Sequence, residues 1–121
     1  MDGTRPDAYS AWGYLLCQSD PVQGREQAGQ RPVLVFSIDA INRLPLVVTV
    51  VVGTKGENIT RDYPTNIRLA PAESGLPIET VFLGFQVRSL DPKRFSGPPA
   101  GRVTEAALRR VEEVVRYCLG L

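Results

Sequence analysis

The stretch from Gly24 to Ser37, GREQAGQRPVLVFS, changes character halfway along. Its first half is polar, carries Gly24 and Gly29 and has no apolar periodicity, which predicts a loop. After Arg31-Pro32 comes an unbroken apolar run, Val33-Leu34-Val35-Phe36, which predicts a buried strand. Pro32 lacks a backbone N–H and has a fixed φ, so it suits the first residue of a strand and biases Arg31 toward an extended backbone. The loop therefore delivers a carboxylate (Glu26), an amide (Gln27) and a guanidinium (Arg31) to the root of a rigid sheet. Binding residues are often found at such junctions.

Outward from there the chain reads as short strands and punctuated loops. Met1 to Ser10 is polar, contains Pro6 and is expected to be a flexible tail. Trp12–Cys17 is the first strand, closed by the turn signal Ser19-Asp20-Pro21. Val33–Ser37 is the second strand, and the polar segment Ile38–Arg43 is a single helical turn or a connector. Leu46–Val52, LVVTVVV, is β-branched almost throughout and predicts a central strand. Gly53–Asp62 reads as a second polar loop. Tyr63–Leu69 alternates loosely, with Tyr63, Thr65, Ile67 and Leu69 on one face, as expected of a strand near an edge. Ala70–Pro77 reads as a loop, and Thr80–Ser89 as a strand with a bend or bulge at Gly84. Asp91–Gly101 is rich in proline and glycine. The C-terminus is an amphipathic helix capped by Thr104 and ended by Gly120, with Ala107, Leu108, Val111, Val114, Val115, Cys118 and Leu119 along one side. Five strands followed by one helix predict a small, mostly antiparallel barrel with a helix packed on it, a single domain over residues 1–121.

A chain of 121 residues is large enough to close a core without staples. Hydrophobic residues at 43% and charged residues at 22% are those of an ordinary globular domain. The net charge of +1 gives no bulk basic field, so any nucleic-acid binding must come from local clustering. Leu44–Val52 is the longest apolar run and is too short to span a bilayer. The first residues lack the apolar core of a secretory signal, so a cytoplasmic protein is expected. Cys17 and Cys118 form neither a metal spacing nor a disulfide framework, and two reduced thiols are expected. With no histidine in the chain, histidine-based acid–base pairs and triads are excluded, and few metal ligands remain. No metal or cofactor is expected.

Read together with Asp39 and Asn42-Arg43, the opening stretch resembles the MazF/PemK (Kid) toxins of bacterial toxin–antitoxin pairs. Their sequences carry G-x-E-Q-x-G-x-R-P and an apolar run at this point. Gly24, Glu26, Gln27, Gly29, Arg31, Pro32 and Val35 all match. The resemblance covers nearly the whole chain from Trp12 and sharpens the fold to the SH3-like barrel of that family and its CcdB relatives. It implies a homodimeric, metal-independent, ribosome-independent endoribonuclease that cuts single-stranded RNA at short sequences. The ribose 2′-OH would attack the adjacent phosphate, leaving a cyclic phosphate and a 5′-hydroxyl, and a cognate antitoxin would inhibit the enzyme.

On that resemblance Arg31 matches the catalytic arginine, and Thr54 the catalytic threonine or serine, with no insertion between them. Arginine is a poor proton acceptor. Glu26, the sole carboxylate of the motif, is open to three roles: general base, orienting partner of Arg31, or a group that holds the loop. Arg25, Gln27, Lys55 and Gln86 are candidate RNA contacts, and Arg88 is open between an RNA contact and a dimer salt bridge. Asn42 and Arg43 match a structural or dimer-supporting pair, and Trp12 and Tyr14 are expected in the core.

Two alternatives stand beside this reading. One is a CcdB-like protein that binds DNA gyrase, which would need neither Arg31 nor Thr54. The other is a catalytically decayed relative that only binds its antitoxin. The second is motivated by Ala11-Trp12-Gly13-Tyr14-Leu15, where the family carries an Arg-Gly-acid start, and by Gly84-Phe85 in place of an acid before Gln86.

Overall fold

The β-branched run becomes the strand around which the sheet is built. In the computed structural model, residues 15–19 (backbone only), 31–37, 41, 47–95 and 100–121 are described. Strands β1 (Leu15–Ser19), β2 (Arg31–Val35), β3 (Val48–Lys55), β4 (Asn66–Leu69), β5 (Thr80–Leu90) and β6 (Gly101–Arg102) form one sheet in the order β4-β5-β3-β2-β1-β6. Every adjacent pair is antiparallel. Two α-helices, α1 (Pro71–Ser74) and α2 (Glu105–Leu119), and two short 3-10 turns, Gly56–Asn58 and Pro92–Arg94, accompany the sheet.

Both faces of β3 are buried, which is why its sequence shows no alternation. Val51 packs with Leu34, Phe82 and the apolar side of α2. Val48, Val50 and Val52 pack with Val33 and Val35 on the other face, joined by Leu90 and Phe95. Burying each such valine contributes about 1.5–3 kcal/mol relative to leaving it exposed. Helix α2 docks through Ala107, Val111 and Val115, and the Thr104 hydroxyl accepts from the Ala107 N–H at 3.2 Å to cap it. Gly120 ends the helix in the left-handed region, at φ 73°.

The sheet rolls up. Gly101 in edge strand β6 lies so close to α1 that a Cβ there would stand 3.0 Å from the Ser74 carbonyl oxygen. The Thr104 N–H donates to the Glu73 carbonyl at 2.9 Å. Since α1 directly follows the opposite edge strand, β4, the two ends of the strand order meet there.

In β5 the partner of Gly53 is Phe82, whereas the partner of Val51 is Val87. A step of two residues on β3 thus corresponds to five on β5, and the bulge between them contains Gly84. Its N–H donates to the Thr65 carbonyl at 2.8 Å, continuing the pairing of β5 with β4. No larger residue fits: a Cβ at position 84 would lie 2.5 Å from Val114 Cγ1 and 3.2 Å from Cys118 Sγ. Burial against this corner pushes the Cys118 thiol above its ordinary pKa.

The expected elements need several corrections. β2 begins at Arg31 and ends at Val35, two residues earlier than expected at each end. β3 starts at Val48 and runs through Gly53-Thr54-Lys55, which had read as loop. β4 is only Asn66–Leu69, and Tyr63 is exposed. The loop expected at Ala70–Pro77 contains α1. There Pro71 occupies the first helical position and the Glu73 carboxylate accepts from the Ala70 N–H at 2.9 Å. β6 was not expected. Leu119 is 56% exposed and does not join the apolar side of α2. The tail 1–10, Trp12, Tyr14, Asn42 and Arg43 lie outside the described residues.

Gly84→Ala is expected to lower the unfolding free energy by about 1–3 kcal/mol in urea titrations, because the added methyl overpacks a filled corner. Adding Val114→Ala to it should restore part of the loss.

Candidate active site

Strand register places the two central residues. Val33 pairs with Val52 across β2 and β3, and continuing that antiparallel register by two places sets Arg31 opposite Thr54. Residues directly opposite in such a pair share a face, with Cβ atoms about 4.5–5.5 Å apart. Both sit at the rim of the buried face formed by Val33, Val35, Val50 and Val52, and both are partly exposed. The buried valines fix the backbone beneath them, so the arginine and the hydroxyl are presented to solvent from a rigid base.

The bulge in β5 decides which further side chains join them. Before it, Phe82 shares the face of α2; after it, Val87 does. An excess of three residues shifts the alternation by an odd number. Gln86 and Arg88 therefore project on the Arg31–Thr54 face, with Arg88 opposite Val50. The Arg88 guanidinium donates to Gln86 Oε1 at 3.0 Å.

Lys55 does not join this group. It follows Thr54 on the strand and pairs with Thr80, so alternation turns it to the other face. There it lines an open depression of about 390 Å³ with Glu57, Ile78 and Glu79. Arg25, Glu26 and Gln27 lie outside the described residues.

Two residues that the sequence did not single out organise the loop after β3. Arg68 pairs with Val81, which pairs with Thr54, so the three form one cross-strand row. From the far end of that row the Arg68 guanidinium donates to Asp62 at 2.8 Å, to Glu79 at 3.0 Å, and to the carbonyls of Gly56 at 3.1 Å and Ile59 at 2.7 Å. Hydrogen bonds to Asp62, then Glu79, raise its pKa above the ordinary arginine value. At the near end, Asn58 Nδ2 donates to Thr54 Oγ1 at 2.9 Å. The loop spans the row between these anchors, and Val81 in the middle is fully buried. Arg68 could have been suspected from its place between Ile67 and Leu69, which turns it away from α2. For Asn58, a polar residue in a polar loop, the sequence carries no signal.

Chemically, this face offers two guanidinium groups, a hydroxyl and an amide. These groups suit an anion with several acceptor oxygens, and arginine forms charge-assisted bonds to phosphate in particular. Among the described residues no three His, Cys, Asp or Glu side chains gather to hold a metal, and no helix is long and apolar enough to cross a membrane.

A rolled antiparallel sheet with one C-terminal helix is the fold of a class of solved bacterial ribonuclease and toxin structures. An endoribonuclease from a mycobacterial species, solved with its cognate antitoxin, superposes with a TM-score of 0.71 at 23% identity, over 88% of this chain and 92% of that one. MazF from Deinococcus radiodurans gives a TM-score of 0.70 at 26% identity, over 91% and 96%. The chain belongs to the PemK-like, MazF-like toxins of type II toxin–antitoxin systems, whose family pattern it matches over residues 14–119. It is 34% identical to endoribonuclease MazF9 of Mycobacterium tuberculosis over 107 residues, 84% of this chain and 88% of that protein. It is 32% identical to endoribonuclease MazF of Staphylococcus epidermidis over 106 residues, 88% of this chain and 87% of that one.

Arg68→Met should speed backbone amide exchange across residues 56–62 while leaving α2 and the middle of β3 unchanged, as read by hydrogen–deuterium exchange. High salt should move the wild-type loop in the same direction, because the ion pairs to Asp62 and Glu79 are accessible to solvent.

Proposed function

We propose that this chain is an endoribonuclease toxin that cleaves single-stranded RNA, without a metal and without the ribosome, and is held inactive by a cognate antitoxin. The observation that supports the reading is the antiparallel register of β2 on β3, Val33 against Val52, which when continued brings Arg31 toward Thr54 on one face. Family membership and the endoribonuclease names of its relatives support it.

In this mechanism the ribose 2′-OH attacks the adjacent phosphorus. The bond from O2′ to phosphorus forms and the bond from phosphorus to O5′ breaks, and O5′ takes a proton from solvent water, giving a cyclic phosphate and a 5′-hydroxyl. DNA lacks the nucleophile and is not a substrate. Negative charge grows on the non-bridging oxygens, where Arg31 and the Thr54 hydroxyl donate. Glu26 is assigned the proton of the 2′-OH. Gln86 and Arg88 hold the flanking strand on the same face, and Arg25 and Gln27, which precede β2 in the sequence, are assigned to the RNA as well. Lys55, on the opposite face, is not assigned to the scissile phosphate.

The acting form is a homodimer in the bacterial cytoplasm, where the mRNA is. The antitoxin lays an acidic, extended segment over the cationic face of Arg31 and Arg88. A mycobacterial endoribonuclease of this fold is solved in complex with its cognate antitoxin, and MazF of Deinococcus radiodurans with MazE, which supports that partnership.

Primer extension on a long, mostly unpaired RNA incubated with purified protein in EDTA tests the reading. Discrete cuts in RNA and none in a matched DNA are expected, with 5′-hydroxyl ends. Arg31→Ala and Thr54→Ala should each lower kcat by about 10²–10³-fold. Glu26→Gln should remove the acidic limb of the pH–rate profile. Intact RNA at high protein concentration would overturn the reading, and a gyrase supercoiling assay would then separate a gyrase binder from a decayed toxin.

A further inference from the structure

A threonine hydroxyl has one proton and rotates freely unless something fixes it. For Thr54 that partner is Asn58, whose Nδ2 donates to Oγ1 at 2.9 Å. A donor on Oγ1 occupies a lone pair and repels the hydroxyl proton, which must then point away from the loop. Away from the loop is the open rim that Thr54 shares with Arg31.

The loop is built to hold Asn58 in that position. Asn58 ends the short 3-10 turn Gly56–Asn58 that directly follows β3. The first residue of the turn and the residue after it are tied down. The Gly56 N–H donates to the Glu79 carbonyl at 2.9 Å, and the Ile59 N–H donates to the Gly56 carbonyl at 3.0 Å. Arg68 donates to the carbonyls of both Gly56 and Ile59. The turn carrying Asn58 is therefore fixed from β4 and from the residue before β5, not by Thr54 itself.

We infer that Asn58 is a positioning residue that orients the Thr54 hydroxyl as a donor toward the scissile phosphate. This rests on the ribonuclease reading above and names a residue through which one of its two donors acts. Asn58 does not touch the reacting atoms. Its effect is on kcat, because a hydroxyl aimed in advance stabilises the charge that develops only in the transition state.

The test uses full-length protein and a short single-stranded RNA containing one mapped cut, under single-turnover conditions with enzyme saturating. Asn58→Ala should lower the cleavage rate about five- to tenfold, the range of one net hydrogen bond, with RNA affinity unchanged. Asn58→Asp, similar in shape but able only to accept, should be slower than Asn58→Ala at saturation because it draws the Thr54 proton inward. In a Thr54→Ala background, Asn58→Ala should cost nothing further. Urea melts of each variant report folding separately.

An active wild type with Asn58→Ala equal to it would overturn the inference. So would an Asn58→Asp enzyme faster than Asn58→Ala, which would mean that Asn58 accepts from Thr54. A loss that persists in the Thr54→Ala background would overturn it too, since Asn58 would then act on RNA or the loop directly. A wild type that leaves RNA intact would remove the ribonuclease reading and this inference with it.

Discussion

The odd excess of residues in β5 is the constraint on which the site depends. With an even excess, Gln86 and Arg88 would point into the space that α2 fills, and Val87 would face the site. Neither arrangement would survive, since a guanidinium facing Val111 would be buried without a partner. The bulge is possible because Gly84 lets Val114 and Cys118 approach its backbone, while its N–H stays paired with the Thr65 carbonyl on the β4 side. A packing solution at the helix corner thus sets the chemistry of the opposite face.

The site residues are held by two kinds of force. Arg31 and Thr54 gain their positions from apolar burial beneath them, which salt does not screen and which varies little with pH. The loop across the row from Thr54 to Arg68 is fastened by one guanidinium with several acceptors. Exposed ion pairs of this kind contribute little to global stability. Their consequence is local, since they restrict a segment that would otherwise sample many conformations beside the reacting groups.

Much of this was legible in the sequence, for identifiable reasons. The central strand, the amphipathic helix with its Thr104 cap and the bulge at Gly84 carry local signals, and the structure has all three. Gly53 misled, because a glycine before a polar run reads as a strand end. Here it sits mid-strand, where a Cβ would lie 2.8 Å from the Phe82 ring. That error hid the fact that Thr54 and Lys55 are strand residues with opposite orientations. Arg31 and Thr54 stood out by resemblance, whereas their juxtaposition needed a register that no single strand contains. Asn58 and Arg68 act through partners distant in sequence or through loop geometry, and neither is written in local pattern. Helix α1 was hidden because proline and glycine suggested a loop, although Pro71 and Glu73 also suit a helix start.

Glu73 carries a consequence for how α2 settles. The buried stripe Ala107, Val111 and Val115 repeats nearly every turn, so a slide by one turn would set one small apolar residue near the place of another. Glu73 breaks that degeneracy: one carboxylate oxygen accepts from the Ala70 N–H, the other accepts from Arg110 at 2.6 Å, and its carbonyl accepts from the Thr104 N–H. Only one axial setting of the helix satisfies all three. The valines supply adhesion without an address, and a single glutamate supplies the address.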